Sequence, residues 1–122
     1  MRGRDGPELF ANAALAVVSL VADPEAVEPR DRHELESEAE DVAALLVDWL
    51  NDVVFLVQGE GALCSRFEFP TWSESAYRAV AWGEPIEADR HDFHDLVKAA
   101  TYHRLAVSRT AEGFEARVIL DV

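Results

Sequence analysis

Glu40-Asp41-Val42-Ala43-Ala44-Leu45-Leu46-Val47-Asp48-Trp49-Leu50-Asn51-Asp52-Val53-Val54-Phe55-Leu56 is the stretch that decides the fold. Val42, Leu45, Leu46, Trp49, Leu50, Val53 and Val54 recur at three- and four-residue spacing, the period of a helix with one apolar side. A stripe this wide predicts a central core helix over about 40–56, with Leu46 and Trp49 nearly inaccessible to solvent. Gly59-Glu60-Gly61 ends it, since glycine breaks helices and tolerates the turn that follows.

Upstream, Asp5-Gly6-Pro7-Glu8 reads as a second helix start. Asp5 can cap the free amides, Pro7 suits the first turn, and Glu8 complements the dipole. Phe10, Ala13, Ala14, Val17, Val18 and Val21 give that helix one buried face, and Asp23-Pro24 stops it. Between the helices His33, Leu35 and Ser37 alternate with Glu34, Glu36 and Glu38, a strand with one acidic solvent face.

Downstream the chain is strand-like: Ala62 to Glu68, Ser75 to Trp82, Lys98 to Ser108 and about Phe114 to Asp121. Pro70 and Gly83-Glu84-Pro85 punctuate the first pair, and Ile86 to Asp95 reads as an exposed acidic loop. Thr110-Ala111-Glu112-Gly113 reads as a hairpin turn, with glycine where positive φ is needed. The order of helix, strand, helix and four strands predicts an α+β fold, a two- or three-layer sandwich with a mainly antiparallel sheet and two main helices. No repeat or linker divides the chain, so residues 1–122 are expected to form a single domain.

The chain carries 24 Asp and Glu against 11 Lys and Arg, a formal charge of -13. Such a charge repels phosphate backbones, so no direct nucleic-acid binding is expected. It favours basic protein surfaces and the capture of hard cations by carboxylates. The single cysteine, Cys64, rules out an internal disulfide and fits a reducing, cytoplasmic setting. The apolar run from Phe10 to Val21 is short of the roughly 20 residues a membrane span needs, so no membrane association is expected.

No GxSxG, GxxxxGK[ST], GxGxxG or HExxH pattern is present, and a standard enzyme is not indicated. Cys64 lies in the alternating stretch Leu63-Cys64-Ser65-Arg66-Phe67, where a structural role outweighs a nucleophilic one. His91 and His94 have a spacing compatible with a transition metal on a helix, but a solvated acidic loop accounts for them more simply. Lys98, the chain's lone lysine, opens a strand, where alternation puts Lys98, Ala100 and Tyr102 on one face and Ala99, Thr101 and His103 on the other. Asp121 and the Val122 carboxylate offer hard oxygen donors at a strand end, too few alone to hold Ca²⁺ or Mg²⁺.

Taken together, Lys98-Ala99-Ala100-Thr101-Tyr102-His103 and the ending Ile119-Leu120-Asp121-Val122 resemble the KAxTYH motif and terminal DV or DI of the archease family. Leu45-Leu46 with Trp49-Leu50-Asn51, Gly3 to Ala14, and Ala81-Trp82-Gly83-Glu84 are similar to that family's helices and its strand ending in GE. The resemblance covers nearly the whole chain. It implies a non-enzymatic accessory protein of the GTP-dependent RNA-splicing ligase, promoting guanylylation and multiple turnover in tRNA splicing. It also implies a divalent metal cofactor (Ca²⁺, or Mg²⁺/Mn²⁺), with Asp121 and Val122 as metal ligands and Lys98, Thr101, Tyr102 and His103 as the ligase-activating residues.

Family members usually begin with a strand carrying DHTAD, and nothing before Gly3 matches it, so the N-terminal strand is expected to be absent from this sequence, through a start assigned too late or through true loss. Its loss would weaken metal binding and expose a strand edge, most naturally Val118 to Leu120, inviting self-association. The terminal hairpin is expected to bring Asp121 close to Lys98. The alternative reading is a chaperone-like or protein-interaction domain that keeps the fold without the metal-dependent activity. A hydrolase built from Cys64, His91 and His94 is more distant.

Overall fold

The computed structural model describes residues 2–86, 99–111 and 113–121, with side chains described for 2–86, 111 and 113–116. In chain order the elements are β1 (Arg2–Gly3), α1 (Gly6–Val21), a 3-10 turn (Pro24–Ala26), β2 (Asp31–Glu38), α2 (Val42–Gln58), β3 (Ala62–Trp72), β4 (Ala76–Pro85), β5 (Ala99–Thr110) and β6 (Gly113–Asp121). They form two three-stranded sheets, ordered β1-β6-β5 and β2-β4-β3. Among the described residues all four strand pairings are antiparallel. Among the described residues no helix is long and apolar enough to cross a membrane.

α1 starts where its sequence predicts, and α2, expected from about residue 40, starts at Val42 behind an Asp41 cap. Asp5 accepts the Glu8 amide at 2.9 Å and Asp41 accepts the Ala44 amide at 2.8 Å, each satisfying a donor that the helix itself leaves unpaired. Each helix runs against strands of both sheets: α1 against β1, β6 and β3, and α2 against β5, β2 and β3. The helices therefore form a middle layer, the three-layer version of the expected α+β sandwich. This is why α2 buries Leu45, Leu46, Trp49, Leu50, Val53, Val54 and Val57 together, and why Leu46 and Trp49 are both 0 % exposed.

Trp49 closes the core by donating its indole N–H to the Phe10 carbonyl at 2.8 Å, which satisfies a buried donor across the two helices. Around it Phe67, Phe69 and Tyr77 stand edge to face, with ring centroids 5.7, 5.0 and 5.2 Å from the indole. That geometry suits the aromatic quadrupoles and adds to the burial itself.

Three expectations change. Pro70 does not end a strand and Gly83-Glu84 lie inside one, because β3 runs on to Trp72 and β4 to Pro85, where it ends. Pro70 is accommodated where the β3–β4 register slips by one residue between Glu68 and Thr71, a bulge on an edge strand that needs no ladder hydrogen bond from it. At Gly83 a Cβ would lie 1.9 Å from the Leu63 carbonyl, so glycine here permits close strand approach and is not a breaker. A two-residue strand also precedes α1, which the expected element order placed first: Arg2 and Gly3 pair with Glu115 and Phe114. At the hairpin turn Gly113 has φ 138°, as expected. The segment 87–98, with its predicted loop, lies outside the described residues.

Candidate functional site

The residues singled out by the terminal motifs fall on the β5–β6 hairpin. Its register pairs Ala99 with Asp121, Ala100 with Leu120 and Thr101 with Ile119, so the start of the Lys98–His103 motif runs alongside the end of the chain. Lys98 and Val122 lie outside the described residues, as do His91 and His94; for Thr101, Tyr102, His103 and Asp121 the backbone is described.

Between Thr101 and Ala106 the β5 register slips, the next partner of Ile119's neighbourhood being Arg117 opposite Ala106. Five steps along β5 match two along β6. The irregularity lies within Tyr102 to Leu105, so the residue-by-residue pairing of β5 with β6 does not continue past Thr101. Bulges of this kind bend a strand and re-aim its side chains, and they are common beside functional sites. Nothing in the sequence signals it: Tyr102-His103-Arg104-Leu105 contains no glycine or proline.

A fully buried carboxylate was not singled out as a site residue. Glu84 is 0 % exposed and accepts the Glu28 backbone amide at 2.5 Å, which ties the segment after the 3-10 turn to the end of β4. Its burial needs such partners, because an unsolvated carboxylate without hydrogen bonds is strongly unfavourable. The sequence signal was available in Gly83-Glu84, but burial could not be read from it.

A second polar group joins α2 to the β2–β4 pair. Tyr77 donates its hydroxyl to Asp52 at 2.5 Å, and Ser37 donates to Asp48 at 3.3 Å. Burial raises the Asp52 carboxyl above the ordinary carboxylate range, with Asp48 adding to the rise and the Tyr77 bond opposing it. Burial likewise raises the Tyr77 hydroxyl, reinforced by its bond to Asp52.

Cys64 is 2 % exposed beside Leu56 and Ala81. Burial first, then Glu60 and Asp31, pushes its thiol up to about 12, which keeps it protonated and unreactive at neutral pH. Among the described residues no three His, Cys, Asp or Glu side chains converge as metal ligands.

Comparison with known proteins accords with this architecture. The family model of the archease protein family matches residues 1–122. Protein archease of Methanopyrus kandleri is 40% identical over 97% of this chain and 87% of its own length. That of Methanothermobacter thermautotrophicus is 34% identical over 98% and 87%. The solution structure of Methanobacterium thermoautotrophicum protein 1598 superposes with a TM-score of 0.72 at 26% identity, covering 96% of this chain and 85% of that one. The crystal structure of a Thermotoga maritima archease, described as a possible chaperone, gives 0.68 at 17% identity over 98% and 85%. With a family model spanning its full length, the chain belongs to the archease family.

Proposed function

We propose that this chain is an accessory protein that engages an RNA-splicing ligase and promotes its guanylylation and turnover, with a divalent cation held at the end of the β5–β6 hairpin. The observation supporting this reading is the hairpin register, in which Asp121 is the cross-strand partner of Ala99, the residue after Lys98. Asp121 and the Val122 carboxylate are hard oxygen donors of the kind Ca²⁺ and Mg²⁺/Mn²⁺ take. Two such groups fill only part of a shell of about six to eight oxygens, leaving the remainder to water or to the partner. Lys98, Thr101, Tyr102 and His103 are the residues through which the ligase is activated, Lys98 as a partner of phosphate or of a site carboxylate. With a charge of -13, the chain acts on the ligase and not on the RNA directly.

The test is a ligase assay with and without this protein, reading guanylylation and the number of turnovers. Stimulation by the natural chain that is lost in Asp121→Asn and in Lys98→Ala is the expected result. Absence of any stimulation removes the ligase reading. A chaperone-like domain is the second reading, favoured by the description of the Thermotoga maritima protein as a possible chaperone. It predicts suppression of aggregation of an unrelated unfolded protein, unaffected by Asp121→Asn. Self-association is a further element of the proposal: β1 pairs with β6 only at Phe114 and Glu115, so β6 from Ala116 to Asp121 has β5 alone as a strand neighbour among the described residues. Light scattering over a concentration series checks it.

A further inference from the structure

The outer edge of β2 is regular, acidic and without a strand neighbour among the described residues, and we propose that it docks an extended basic segment of a partner protein by strand addition. β2 pairs with β4 through eight consecutive residues, Asp31↔Gly83 to Glu38↔Ala76, without a slip. Just beyond it Ala39 donates its amide to the Ser75 carbonyl at 2.8 Å. In an antiparallel pair the direction of the backbone groups alternates, so the residues in step with Ala39, namely Ser37, Leu35 and His33, face β4. Arg32, Glu34, Glu36 and Glu38 turn their N–H and C=O groups the other way. Among the described residues no strand lies beyond them.

The opposite edge of the same sheet is managed differently. β3 carries a bulge between Cys64 and Arg66 and another between Glu68 and Thr71, the second beside Pro70. At the first, Ser65 donates its hydroxyl to the Val27 carbonyl at 3.1 Å, laying the segment after the 3-10 turn against that strand. Bulges, proline and covering segments are the devices that keep an edge from pairing with another chain. β2 has no proline, bulge or lysine.

Charge selects the occupant. β2 holds four carboxylates, Asp31, Glu34, Glu36 and Glu38, against one arginine. Glu34 and Glu36 reach Arg32 at 2.8 Å and Arg78 at 3.7 Å, but all four of these side chains are more than half exposed, so the pairs are easily exchanged. A second copy pairing through β2 would set glutamates against glutamates, which is unfavourable for directly opposed residues. An incoming strand with Lys or Arg opposite Glu34, Glu36 and Glu38, and apolar residues at the alternate positions opposite His33, Leu35 and Ser37, meets each face with its complement. The inference does not depend on which enzyme the protein serves.

The probe is a capped peptide alternating Arg and Val, titrated into the full chain while backbone amide shifts are followed. The expected result is binding that weakens with salt and shifts the amides of Arg32, Glu34, Glu36 and Glu38 most. A peptide N-methylated at alternate residues, so that its amides cannot pair with β2, should bind at least about tenfold more weakly, the loss carried by two or more backbone hydrogen bonds. The variant Glu36→Lys/Glu38→Lys should lose binding while keeping the unperturbed spectrum elsewhere. Glu36→Pro removes one outward amide without a β4 partner and should weaken the parent peptide even at low salt. Equal affinity of the N-methylated and parent peptides would mean charge attraction without strand pairing and overturns the proposal. So does absence of binding, or a shift pattern centred away from β2.

Discussion

The two edges of the β2-β4-β3 sheet pair with the same central strand yet differ in how they are protected. β3 is longer, bulged twice and interrupted by Pro70, and it is crossed by the segment after the 3-10 turn. β2 keeps eight residues in unbroken register and presents its charges outward. The difference teaches that edge protection is a local choice made residue by residue, not a property of the sheet. Electrostatics guards one edge against self-pairing, and backbone irregularity guards the other.

The largest effect that would sharpen this contrast is a change of parity on β2. Leu35→Pro deletes an amide that faces β4 and disturbs a partly buried side chain packed on the core, and it should cost about 2–4 kcal/mol in urea unfolding. Next, Ser65→Ala removes the hydroxyl bond to the Val27 carbonyl that helps cover β3. A loss of about 1 kcal/mol is expected, with greater amide exchange along β3. Glu36→Pro, one residue from Leu35, should cost less than about 1 kcal/mol, because its amide faces the open edge. Equal losses for the two prolines would break the assignment of directions along β2.

The smallest effect is a slope. Asp52, on α2 behind the β2–β4 pair, has its folded-state pKa raised, chiefly by burial. Below its unfolded value the carboxyl is protonated in both states and costs nothing. As pH rises from there through the raised folded value, the unfolded chain releases the proton first, so this group's contribution to stability falls. In Asp52→Asn that component disappears, and the difference in urea midpoint between variant and natural protein should move in the variant's favour as pH rises across that window. A difference independent of pH would show that Asp52 titrates as it does in the unfolded chain.

Much of this was legible in the residues. Apolar spacing along both helices, with Asp5 at the start of α1, determined two helices and the onset of the first, because capping and period depend on neighbours within one turn. The alternation of β2, the turn at Gly113 and the α+β class follow from equally local rules, and the terminal motifs pointed to the hairpin that pairs Ala99 with Asp121. Tertiary structure alone decided that β3 passes through Pro70 and β4 through Gly83, since each depends on a partner strand distant in sequence. It decided also that Glu84 is buried on the Glu28 amide, and that the β5–β6 register shifts between Thr101 and Ala106. Register and burial are set by contacts between segments, and a single sequence carries the local terms of that balance but not the cross-strand ones.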